Sequence, residues 1–79
     1  MMSNYQLILF NDNRNSFEDV IIGLSEFAGQ NVYQAENCAY IIHYKGHYVI
    51  KTGTKREMLK LCDQLTTFGL TVRIQKSKS

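Results

Sequence analysis

Three times in these 79 residues a short acceptor side chain is followed, three positions on, by Glu or Gln: Asn15 by Glu18, Asn31 by Gln34, Thr54 by Glu57. This is the spacing of a capping box, in which two side chains satisfy backbone N–H groups that a helix start leaves without partners. An apolar stripe at helical spacing follows each start, and a glycine able to close a helix follows each stripe. The first stripe is Phe17, Val20, Ile21, Leu24 and Ala28 before Gly29. The second, in a helix from about Val32 to His43, is Ala35, Cys38, Ala39 and Ile42 before Gly46. The third is Met58, Leu61, Cys62, Leu65 and Phe68 before Gly69. A chain so punctuated has room for three helices and only short segments between them.

Those segments read as strands. Tyr5–Phe10 is a continuous apolar run with β-branched and aromatic members, His47–Thr52 is a second candidate, and Leu70–Gln75 alternates strictly between apolar and polar residues. The order is β-α-α-β-α-β, an α+β single domain with a three-stranded antiparallel sheet and helices packed on one face. Its expected limits are residues 5–75, with a short flexible N-terminus at 1–4 and a frayed tail at 76–79. A chain of this length buries roughly 60–65% of its unfolded surface, enough for one thin core. It lacks an apolar run near the ~20 residues that cross a bilayer and begins without the layout of a signal peptide. A cytoplasmic monomer that binds neither membrane nor nucleic acid is the expectation.

Charge is uneven, −4 over residues 1–44 and +6 over residues 45–79. The bases Lys45, Lys51, Lys55, Arg56, Lys60, Arg73, Lys76 and Lys78 are nevertheless scattered singly over several elements, as on a solvated face rather than a nucleic-acid footprint. Cys38 and Cys62 fall on apolar stripes and read as buried small hydrophobes, where burial raises a thiol pKa and suppresses reactivity. Metal chemistry is disfavoured by spacing. Cys38 and His43 point to different helix faces, and Gly46 interrupts the helix between His43 and His47. No Gly-rich phosphate loop is present, so neither a cofactor nor an enzymatic activity is expected.

Two features remain. Asn11-Asp12-Asn13-Arg14-Asn15 places more short acceptor side chains at a strand-to-helix junction than an ordinary turn needs. Taken alone, Asn11 and Asp12 read equally well as turn residues and as ligand acceptors, and Asn15 as a helix cap. His43 reads as a helix-end cap or as the polar tip of a shallow stripe formed with Ala35 and Ala39.

The stretch Tyr5–Val20, with its Asn-Asp pair after a strand, resembles the opening of the ClpS family of proteolytic adaptors. So does Gln34–Gly46, with its Ala, helix and His-x-x-Gly ending. The likeness runs from about Tyr5 to Ile74 and agrees with the element order above. It implies a non-enzymatic adaptor that binds the N-terminal residue of a protein, an N-degron, and hands it to a Clp AAA+ unfoldase and its protease. It implies Asn11, Asp12 and His43 as acceptors for the α-ammonium, which carries three donors and a charge. Phe17, Val20, Ala39, Ile42 and Leu70 are implied as the apolar pocket, and Asn13 and Asn15 as support. Some positions depart from the family pattern: Ala39 stands where a larger residue, often Met, is common, Phe17 where the residue is aliphatic or Met, and Asn13 where an acid is common. About four residues precede the first strand, where many members carry a long arm. This leaves an alternative, an interaction module with the same fold and no delivery function.

Overall fold

Tyr5–Phe10 forms β1, the central strand, an apolar run whose Leu7 and Leu9 are fully buried in the core while Ile8, on the other face, is 8% exposed. In the computed structural model, which describes residues 4–77, β2 (His47–Gly53) and β3 (Thr71–Lys76) flank it antiparallel, in the order β2-β1-β3. The register pairs Phe10 with His47 on one side and with Thr71 on the other. The end of β1 therefore lies beside the beginnings of both partner strands, and the loop that leaves it is held between them.

Helices α1 (Phe17–Phe27), α2 (Val32–Lys45) and α3 (Lys55–Phe68) complete the expected β-α-α-β-α-β order. Their stripes meet β1 in one core. Leu7, Leu9, Leu24, Ile42, Met58 and Leu65 are its largest fully buried side chains, with Ala35 and Ala39 letting α2 approach closely. Truncating one of these leucines to Ala costs roughly 2–5 kcal/mol in cores of this kind. Gly23 is placed by contact rather than by conformation. A Cβ there would lie 2.7 Å from Leu70 Cδ1 and 3.3 Å from the Phe68 ring, so α1 rests directly on the junction of α3 and β3.

Two capping boxes stand where the spacing puts them, at Asn31 with Gln34 and at Thr54 with Glu57. The first is displaced by one residue. Ser16, not Asn15, is the N-cap of α1, its hydroxyl accepting from Asp19 N–H while the Asp19 carboxylate accepts from Ser16 N–H. The shift has a cause in the loop, where the Asn15 side chain is already engaged elsewhere.

Leu70 precedes β3 because its N–H still donates to the Leu65 carbonyl at 3.0 Å. At the other end Lys76 pairs with Tyr5 rather than fraying, and Ser77 N–H donates to Asn4 C=O at 2.8 Å. The flexibility expected of residues 1–3 and 78–79 lies outside the described residues. No helix among the described residues is long and apolar enough to cross a membrane.

Candidate functional site

The junction after β1 is a braced loop, and Asp12 is its hub. Its carboxylate accepts from Arg14 N–H at 2.9 Å, from Asn15 N–H at 3.0 Å, from the Asn15 side-chain amide at 3.0 and 3.2 Å, and from the Thr71 hydroxyl. The Thr71 hydroxyl is the main cause that holds this carboxyl below the usual Asp range. Partial burial opposes it, and the Arg14 and Asn15 donors add to it. Asn15 also donates to the Gly69 carbonyl at 2.7 Å, tying the loop to the end of α3. On the opposite side Asn11 N–H donates to the Gly46 carbonyl at 2.8 Å, tying the same loop to the end of α2. Gly46 reaches that position with φ of 91°, a left-handed conformation that other residues rarely adopt.

These ties open a cavity of about 570 Å³ between the loop, the first turns of α1 and the last turns of α2. Phe17 and Val20 from α1 and Ala39, Tyr40 and Ile42 from α2 give it an apolar wall. Asn11, Asp12, Asn13, Asn15 and Ser16 from the loop, with His43 and Tyr44 from α2, give it a polar one. An apolar recess with a few convergent polar groups, within the ~300–1,000 Å³ of small-ligand pockets, is the usual form of a binding site.

The polar groups differ in how free they are. Asp12 and Asn15 are occupied by the bonds that brace the loop. Among the described residues, the Asn11 and Asn13 amides and the His43 ring make no side-chain hydrogen bond, and all three residues are exposed. The His43 ring stands edge-on to Tyr44, with centroids 5.4 Å apart and planes at 80°. The cavity also meets the C-terminal turn of α2, the negative end of that helix dipole, which favours a bound cation by roughly 0.3–1 kcal/mol.

Of the residues singled out from the sequence, the cavity brings together Asn11, Asp12, Asn13, Asn15, Phe17, Val20, Ala39, Ile42 and His43. Leu70 is not on its wall. That side chain is buried beneath α1, where the missing Cβ of Gly23 leaves room for it. Ala35 is likewise core, so the stripe of positions 35, 39 and 43 passes from the interior to the cavity rim. Sequence reasoning missed Ser16, Tyr40 and Tyr44 as lining residues, and Thr71, Gly69 and Gly46 as anchors of the loop. The two tyrosines carried a usable signal: they are four residues apart, one position after Ala39 and His43, on the same rim of the helix.

Other candidate chemistries find little support. Among the described residues, no group of three His, Cys, Asp or Glu side chains could hold a metal ion. Cys38 is a free, buried thiol whose pKa is raised by desolvation, with a contact from Gln30 opposing the rise, and Cys62 is free and half-buried. Every described lysine and arginine is exposed.

The fold and the braced cavity define a small α+β domain with a recess of small-ligand size, and comparisons with known proteins place it in a family. The family model "ATP-dependent Clp protease adaptor protein ClpS" matches residues 1–73, and the chain belongs to the ClpS family. Among solved structures, that of Agrobacterium tumefaciens ClpS2 bound to L-phenylalaninamide superimposes with a TM-score of 0.93 at 16% sequence identity, covering 98% of this chain and 100% of that one. At that identity the superposition shows a shared fold. No curated protein sequence matches the chain.

Proposed function

We propose that this protein is a non-enzymatic adaptor that binds the free α-amino group and bulky apolar first side chain of N-degron proteins and passes them to a Clp AAA+ unfoldase. One observation carries the reading: the acceptors Asn11, Asn13 and His43, without side-chain bonds to the other described residues, share one cavity with the apolar Phe17, Val20, Ala39 and Ile42. An N-terminal residue is a cation with three donors next to a side chain, and such a cavity offers partners to both ends. Asn11 and Asn13 would supply amide oxygens and His43 a ring nitrogen. Asp12 contributes its negative charge nearby, while its oxygens are held by the loop. The α2 C-terminus adds potential of the same sign.

The ligand named for the Agrobacterium protein has this chemistry, a free amine beside a phenyl side chain, and family membership supports delivery to the Clp machinery. The test of binding is a fluorescence titration with two peptides of one sequence, one with a free and one with an acetylated N-terminus. The free peptide is expected to bind at least tenfold tighter; equal affinities would refute the α-amino clamp. Delivery is tested by degradation of an N-degron substrate with the unfoldase and peptidase present, with and without this protein.

A further inference from the structure

Phe17 and Tyr40 come from different helices and meet at the cavity with ring centroids 4.8 Å apart and planes tilted by 59°. Phe17 leans on the core, whereas Tyr40 is 52% exposed and has no core to fill. Beside them Ala39 and Ile42 line the same cavity, and Ala39, 2% exposed, contributes no more than a methyl group. A ring placed there meets two aromatic faces and edges at once, and aromatic pairs prefer such tilted or offset geometry beyond the area they bury. A branched aliphatic side chain meets the same wall through area alone.

We infer that this cavity selects an aromatic first residue over leucine, and that Tyr40 is the residue that sets the selectivity. The inference rests on the proposed binding of a free N-terminus in this cavity and narrows it to one class of first side chain. Asn11 and His43 would fix the amine at the polar end of the cavity, which directs the first side chain toward the Phe17–Tyr40 pair. The phenol ring on exposed α2 surface is then a binding surface rather than packing.

The experiment measures affinities for free-amine peptides that differ only in beginning with Phe or Leu, against the full chain, Tyr40→Leu and Tyr40→Phe. The full chain is expected to favour Phe over Leu by roughly tenfold, as two ring contacts allow. Tyr40→Leu should lower that ratio about threefold or more, and Tyr40→Phe should keep it, since the ring and not the hydroxyl carries the effect. A ratio unchanged in Tyr40→Leu, or a full chain indifferent to Phe and Leu, overturns the inference while leaving N-terminal binding in place. If acetylation abolishes nothing, both fall together.

Discussion

Asn11 donates its backbone N–H to the carbonyl of Gly46 at 2.8 Å, and this one bond joins the two halves of the site. It places the first residue after β1 beside the end of α2, three residues beyond His43. Because the bond uses only the backbone of Asn11, the side-chain amide stays available to a ligand. Replacing Asn11 therefore removes an acceptor without releasing the loop. Asn11→Ala is expected to leave the thermal midpoint within about 2 °C of the parent, corresponding to a change of ~0.5 kcal/mol or less. It should weaken binding of a free-amine peptide by roughly tenfold, a loss that an acetylated peptide does not show. Unfolding and peptide titration of one preparation check both halves.

Asp12 should behave differently, because its oxygens brace the loop against Asn15 and Thr71. Asp12→Ala is expected to cost about 1–3 kcal/mol of stability, as the donors left behind lose a charged acceptor. It should also weaken peptide binding more than His43→Ala does, since it removes both the formal charge and the shape of the loop. Urea denaturation alongside titration separates the two effects. A variant as stable as the parent would contradict the bracing role.

The same carboxylate fixes a pH dependence. Its folded pKa lies below the ordinary Asp value of 3.8, so the unfolded chain takes up the proton first as pH falls. Stability from Asp12 is then fully present above that value and is lost as pH drops through the folded pKa. Glu57, lowered mainly by the Thr54 N–H and then by its hydroxyl, acts in the same direction in its own acid range. Thermal midpoints of the parent and Asp12→Asn are expected to differ by a constant amount from pH 5 to 7 and to converge below about pH 4. A difference that grows instead of shrinking as the pH falls below about 4 would contradict the assignment.

Gly23 and Ala39 mark two places where side-chain size decides. At Gly23 a methyl group would meet Leu70 Cδ1 at 2.7 Å. The crowding of a filled core, about 1–3 kcal/mol, exceeds the ~1 kcal/mol that Ala gains over Gly in a helix. Gly23→Ala should therefore be net destabilising by about 1 kcal/mol, measured by urea midpoint. Ala39 is buried at the cavity wall, so a longer side chain there must take its room from the cavity. Ala39→Met should narrow the range of first residues accepted, weakening peptides that begin with Trp or Phe roughly tenfold more than those that begin with Leu. An unchanged preference profile across the peptide series would remove Ala39 from the pocket.

The elements were legible in the sequence because their signals are local. The stripes, the closing glycines and two of the three capping boxes each lie within a few residues of one another, and the helices and strands follow them to within two residues. The first cap was misplaced because Asn15 and Ser16 are both good caps, and the choice is made by Asp12 and Gly69, the latter 54 residues away. Ser16→Ala, accordingly, should cost about 1 kcal/mol through the lost cap.

The site was legible in part for the same reason. Asn11, Asp12 and His43 are open to a capping or a ligand role as residue types, and the family resemblance is what joins them, whereas Tyr40 reads as any exposed helical tyrosine until Phe17 is beside it. Leu70 illustrates the converse. The resemblance to the ClpS family implied a pocket role for it, but it fills the space left where Gly23 lacks a side chain.

The central claim, that the cavity between the Asn11–Asn15 loop and α2 holds a protein's free N-terminus, is tested most directly by amide shift mapping. A ¹⁵N-labelled sample is titrated with a peptide beginning with Phe, free and acetylated. The free peptide should give saturable shifts, concentrated at the side-chain amides of Asn11 and Asn13 and the backbone of residues 39–44, and the acetylated one little change. Shifts of equal size with both peptides, or centred away from this cavity, would contradict that claim.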